Sequence, residues 1–142
     1  MRHYLVVANQ TLGQPQLTDK ILQLAHTGPS DFHILVPATH AHVHETWTQA
    51  EAVAIARARL SSYLARLAGL GVTVHGEIGD PSPMVAIGEV LRHRRFDAMV
   101  ISTLPQGPSQ WLQKRLPERV EDVFRCPVLL VTAPSRETAT LG

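Results

Sequence analysis

The chain has 142 residues, a formal net charge of +1 and a pI near 8.1. That length suits one domain, residues 1–142, with a sizeable core. The balanced charge argues against a dedicated nucleic-acid or membrane surface, which needs a clustered basic face. No apolar run is long enough to span a bilayer, and the opening MRHYLVVANQ has no signal-peptide pattern, so a cytoplasmic protein is expected. The single cysteine, Cys126, has no partner for an internal disulfide. Its place between the last helix and the last strand suits a small buried thiol better than a reactive one.

Residues 3–8 form the first expected strand. Tyr4, Leu5, Val6 and Val7 are continuously apolar, as in a central strand of a parallel sheet buried on both faces. A polar loop, residues 9–15, follows. Leu17, Ile21, Leu24 and Ala25 then recur at helical spacing, and Gly28-Pro29 stops that helix. Residues 32–36 are the second strand. The loop after it, residues 37–47, carries His40, His42 and His44.

Thr48 and Glu51 have the spacing of a capping box. The helix they open is expected to reach about Ala68, burying Val53, Ala56, Leu60, Leu64 and Leu67 and keeping Arg57, Arg59 and Arg66 wet. Gly69 and Gly71 end it. The third strand, residues 72–78, alternates apolar and polar side chains and reads as an edge strand. Gly79-Asp80-Pro81 is a tight turn, in which Asp80 bonds local N–H groups more readily than it serves as an acid or base. Ser82 caps the next helix, Pro83 opens it, and Met84, Ile87 and Leu91 give its face.

The fourth strand is expected over residues 97–101. Residues 102–109 (STLPQGPS) read as a shaped loop, since two prolines and a glycine fall close together. Pro117 opens the last helix, with Val120, Val123 and Phe124 as its apolar face. Pro127 ends it, and residues 128–131 are the fifth strand. Strict β-α alternation means an α/β fold: a doubly wound parallel sheet with helices on both faces.

In such a sheet, ligands bind where loops leave the C-terminal ends of the strands. The candidate site residues are therefore Asn9 after the first strand and Ser102, Thr103, Gly107, Ser109, Lys114 and Arg115 after the fourth. Two cations with N–H groups at a helix start and three hydroxyls suit a phosphorylated ligand. The competing reading is a loop stiffened by proline, packed by Trp111, that binds no nucleotide. His40, His42 and His44 would face one way in an extended segment and, with Glu45, could hold Zn²⁺ or Ni²⁺; a solvated loop explains them as well. The remaining histidines, His3, His26, His33, His75 and His93, are scattered along the chain and suggest no role. No carboxylate pair, G-x-S-x-G, Cys–His signature, H-E-x-x-H, G-x-G-x-x-G or P-loop is present, and no general base is named by spacing. Enzymatic activity beyond a weak ATPase is not expected.

Several stretches resemble the universal stress protein family. Gly79-Asp80-Pro81 with Ile87 resembles its G-D-P…I motif, Cys126 to Val131 resembles its closing C-P-V-L-V-V strand, and Glu118-Arg119-Val120 falls where its last helix begins. The resemblance implies the sheet order 3-2-1-4-5, a stress-response role, and a homodimer often paired through the last strand. ATP-binding members carry G-x2-G-x9-G-[ST] after the fourth strand. Here Ser102 and Pro105 replace the first two glycines, Lys114-Arg115 falls at the G-[ST] pair, and Asn9 stands where the family has Asp. Pro105 has no N–H to donate. The segment STLPQGPSQWL with LPERV resembles a divergent branch of the family. From the departures in the ATP motif, altered or weakened binding of ATP or another adenine nucleotide is expected.

Overall fold

The structure, a computed structural model, describes residues 1–9, 11–37, 49–104, 111 and 114–133. Among the described residues nine elements alternate: β1 (Arg2–Val7), α1 (Pro15–Ala25), β2 (Ser30–Pro37), α2 (Gln49–Gly69), β3 (Val74–Gly79), α3 (Pro83–Leu91), β4 (Ala98–Thr103), α4 (Leu116–Phe124) and β5 (Val128–Thr132). The five strands pair in parallel in the order β3-β2-β1-β4-β5.

β1 shows why an unbroken apolar run belongs at the centre. Its residues alternate between two cores. Tyr4 and Val6 join Phe32, Ile34, Val36 and Val100 beneath α1 and α2, represented by Leu17, Ile21, Leu60 and Leu67. Leu5 and Val7 join Leu35, Met99 and Ile101 beneath α3 and α4, represented by Ile87, Val90, Leu116 and Val120. Helices thus cover both faces. β3 is an edge strand, as its alternation predicts.

Several details differ from the expectation. β2 extends at both ends, to Ser30 and Pro37. β3 starts at Val74; Val72 is buried in the preceding turn, its N–H donating to the Leu67 carbonyl. β4 runs on through Ser102 and Thr103, which pair with Val131 and Thr132 of β5, so the loop begins later than its sequence suggests. The face of α4 is Leu116 and Val120 with Phe124 half-buried, while Val123 is 61% exposed. α4 ends before Pro127: Arg125 takes the left-handed conformation (φ 54°) and donates its N–H to the Glu121 carbonyl.

The G-D-P turn is built as read. Asp80 Oδ1 accepts from the Ser82 N–H at 2.9 Å, and Ser82 Oγ accepts from the Val85 N–H at 3.5 Å. Thr48 of the expected capping box lies outside the described residues. Cys126 is buried, and burial pushes its thiol pKa up, with Asp97 and Glu121 adding to the shift. That environment suits an inert packing thiol.

Candidate functional site

β1 lies between β2, reached through α1, and β4, reached from the other side of the sheet. The C-terminal ends of β1 and β4 therefore flank the point where the strand order reverses, the position at which open α/β sheets hold ligands. Asn9, Ser102 and Thr103 stand at these two ends.

Asn9 is engaged by the protein itself. Its Nδ2 donates to the Pro37 carbonyl at 2.9 Å, which ties the exit of β1 to the end of β2. Ser102 faces the α1/α2 side, where its hydroxyl meets that of Thr11 at 2.6 Å with both residues buried. Sequence reasoning missed Thr11, because its partner lies 91 positions away. Thr103, the next residue on β4, faces the opposite side. It is 2% exposed, and its Oγ1 has no hydrogen-bond partner among the described residues. Gln16 Oε1, in the first turn of α1 and so at the same end of the sheet, is also buried without a partner among the described residues. Buried hydroxyls and amides are nearly always bonded, and leaving one unsatisfied costs about 1–3 kcal/mol. Both orphaned atoms lie at the end of the sheet where a ligand is expected.

Lys114 and Arg115 are exposed immediately before α4. Arg115 holds φ 55° at the N-cap, without a side-chain cap. Leu116 anchors the first turn in the same core as Ile101, which brings the helix start to the Thr103 side of the sheet. Trp111 is half-buried against that core, as an anchor would be. Gly107 and Ser109 lie outside the described residues, as do His40, His42 and His44. Among the described residues, no three His, Cys, Asp or Glu side chains are grouped to hold a metal ion. No helix there is long and apolar enough to cross a membrane.

Two solved structures share this architecture. A protein of the universal stress protein family from Burkholderia pseudomallei superposes with a TM-score of 0.66 at 16% identity, over 93% of this chain and 96% of its own. This chain has the universal stress protein fold. A second protein of that family, from Arabidopsis thaliana and solved with AMP bound, superposes with a TM-score of 0.64 at 13% identity, over 97% of this chain and 95% of its own. No protein-family model matches the sequence, and no curated protein matches it. The universal stress protein fold therefore persists here at an identity where few side chains are shared.

Proposed function

We propose that the chain is a universal-stress-protein-like binding and regulatory module that takes a phosphorylated small ligand, an adenine nucleotide first, at the C-terminal ends of β1 and β4. The observation that carries this reading is the buried Thr103 hydroxyl, unpartnered among the described residues and on the side of the sheet that α4 covers. A phosphate oxygen would accept from it, and Lys114 and Arg115 would supply charge at the helix N-terminus. The Arabidopsis protein of the same fold holds AMP. The fit is partial. The hydroxyl of Ser102 is paired with Thr11, the Asn9 amide bonds Pro37, and Pro105 offers no N–H. Weak or altered nucleotide binding follows, and catalysis forms no part of the proposal.

Calorimetric titration with AMP, ADP and ATP is expected to give a Kd below about 100 μM, roughly −5.5 kcal/mol, for at least one of them. Thr103→Val is expected to weaken that affinity about tenfold, roughly 1.4 kcal/mol. The same substitution should leave the ligand-free fold as stable or slightly more so, because it removes an orphaned hydroxyl without changing shape. Arg115→Glu should also weaken binding about tenfold. No nucleotide released on denaturing fresh protein, together with no heat on titration, would overturn the reading.

A second reading, a homodimeric interaction protein without a ligand, is favoured by β5. This strand is the outermost on its side of the sheet among the described residues, and its Leu130 is 47% exposed. An edge strand offers unpaired backbone groups to a second copy. Sedimentation at micromolar concentration is expected to give a dimer, and Leu130→Glu to shift it to monomer. A wild-type monomer would end that reading.

A further inference from the structure

At the opposite end of the sheet, three side chains from two strands and the α3–β4 connection surround one guanidinium. His33 of β2 is paired in register with His75 of β3, and the two rings lie 5.2 Å apart. Arg94, in the turn between α3 and β4, reaches both. Its Nη1 lies 3.0 Å from His33 Nδ1, and its Nη2 lies 3.2 Å from His75 Nε2. The other nitrogen of His33, Nε2, lies 2.7 Å from Glu77 Oε2. Arg94 also covers the ring of Phe96 at 5.4 Å, and Phe96 lies 6.2 Å from the His33 ring.

The chemistry of arginine assigns every proton in this cluster. A guanidinium only donates and keeps its charge at any accessible pH. Both imidazole nitrogens that face it must therefore accept. His33 is then the neutral tautomer with its proton on Nε2, donated to Glu77, and His75 carries its proton on Nδ1. Adding a proton to either acceptor nitrogen would set an N–H against an N–H and a cation against a cation.

We propose that Arg94 is a pH-released latch, holding the α3–β4 turn against the β2–β3 edge of the sheet through two unprotonated imidazoles. Protonation of His33 expels the guanidinium, frees the turn and uncovers the face of Phe96. The groups that face His33 are Glu77 and His75 from β3 and Arg94 from the turn. From β1 its register neighbour is the apolar Leu5. The other titratable groups on this side are His3 with Asp31, at 2.8 Å, which tie β1 to β2, and Asp97 at the end of the α3–β4 connection, whose carboxylate accepts from the His3 backbone N–H at 2.7 Å. Glu89, Arg92, His93 and Arg95, around the turn, are exposed.

The direction of the effect follows from burial. His33 is 5% exposed, and desolvation, followed in smaller part by Arg94 and His75, holds its pKa below the ordinary 6.5 against the opposing pull of Glu77. A histidine depressed in the folded state favours the fold above pH 6.5, and that contribution is lost as pH falls through the folded value. Release therefore belongs to acidification below 6.5, with uptake of protons.

Amide hydrogen exchange on the full chain tests this, read at the His93 and Arg94 amides, which both donate to the Val90 carbonyl. After correction for chemical exchange rates, protection at these amides is expected to fall at least tenfold between pH 7.5 and 5.5, while Leu5 in central β1 stays protected. In Arg94→Met, protection should already be low at pH 7.5 and independent of pH. In His33→Asn/His75→Gln, whose amide oxygens accept without titrating, protection at pH 5.5 should stay within twofold of that at 7.5. Unchanged wild-type protection across this range, or the wild-type pH dependence surviving in Arg94→Met, would overturn the latch. Should the double variant not fold, Arg94→Met decides alone.

Discussion

Phe32→Ala is expected to lower the free energy of unfolding by about 4 kcal/mol. Phe32 is fully buried on the α1/α2 face and stacks on Tyr4 with ring centroids 5.1 Å apart and planes 16° from parallel. In register it lies between Tyr4 of β1 and Val74 of β3, so the truncation opens a void at the joint of three strands. Backbone pairing holds those strands at a fixed spacing, and side chains from two helices cannot close a gap of that size. Domains of this size are stable by about 5–15 kcal/mol, so the loss is a large share of the total. Urea denaturation checks it: the midpoint should drop while the slope stays constant. A loss under about 1 kcal/mol would mean that the α1/α2 face collapses onto the site, and that this core is looser than its burial implies.

The sheet was legible in the sequence because strand burial leaves a local mark. β1 is apolar at every position because both of its faces are covered, and β3 alternates because it lies at an edge. Both patterns need only neighbouring residues. The errors fall where the deciding partner is remote. Ser102 and Thr103 look like loop residues, yet β5 reaches far enough to pair with them, and Thr11 supplies Ser102 with a buried hydroxyl partner. Val123 has helical spacing with Val120, but which neighbour is buried depends on how α4 seats on the sheet, and no local pattern encodes that. The left-handed Arg115 and Arg125 are invisible for a related reason: glycine announces such a conformation, and arginine does not.

The candidate site was legible by position and not by role. Strand alternation pointed to the ends of β1 and β4, and the structure sets Asn9, Ser102 and Thr103 there. What each does depends on contacts across the sheet. Two of the three are engaged by other residues of the protein, and the third, Thr103, is the one left unpartnered among the described residues. The histidines follow the same logic. His33, His75 and Arg94 suggested nothing along the chain, and parallel register is what brings them together.

Gly79→Val is expected to cost about 3 kcal/mol, more than a turn glycine would explain. The G-D-P motif reads as a tight exit from β3, and Asp80 does hold that turn. Gly79 has a second duty, set by packing. It is the last residue of β3 and pairs with Pro37. A Cβ built on it would lie 2.8 Å from Leu35 Cδ1 and 2.9 Å from Ala86 Cβ. Leu35 and Ala86 are both fully buried, so neither can move aside cheaply. The missing side chain is thus what lets α3 approach the sheet. If that is the reason for the glycine, the cost should depend on Ala86. Gly79→Ala alone should destabilise by roughly 1–2 kcal/mol, and adding Ala86→Gly should recover more than the two single effects predict by addition, even though glycine weakens the helix by roughly 1 kcal/mol. Strict additivity in that cycle would assign Gly79 to the turn alone. A favourable coupling would show that the motif fixes the height of α3 above the sheet, and through α3 the position of the turn that carries Arg94.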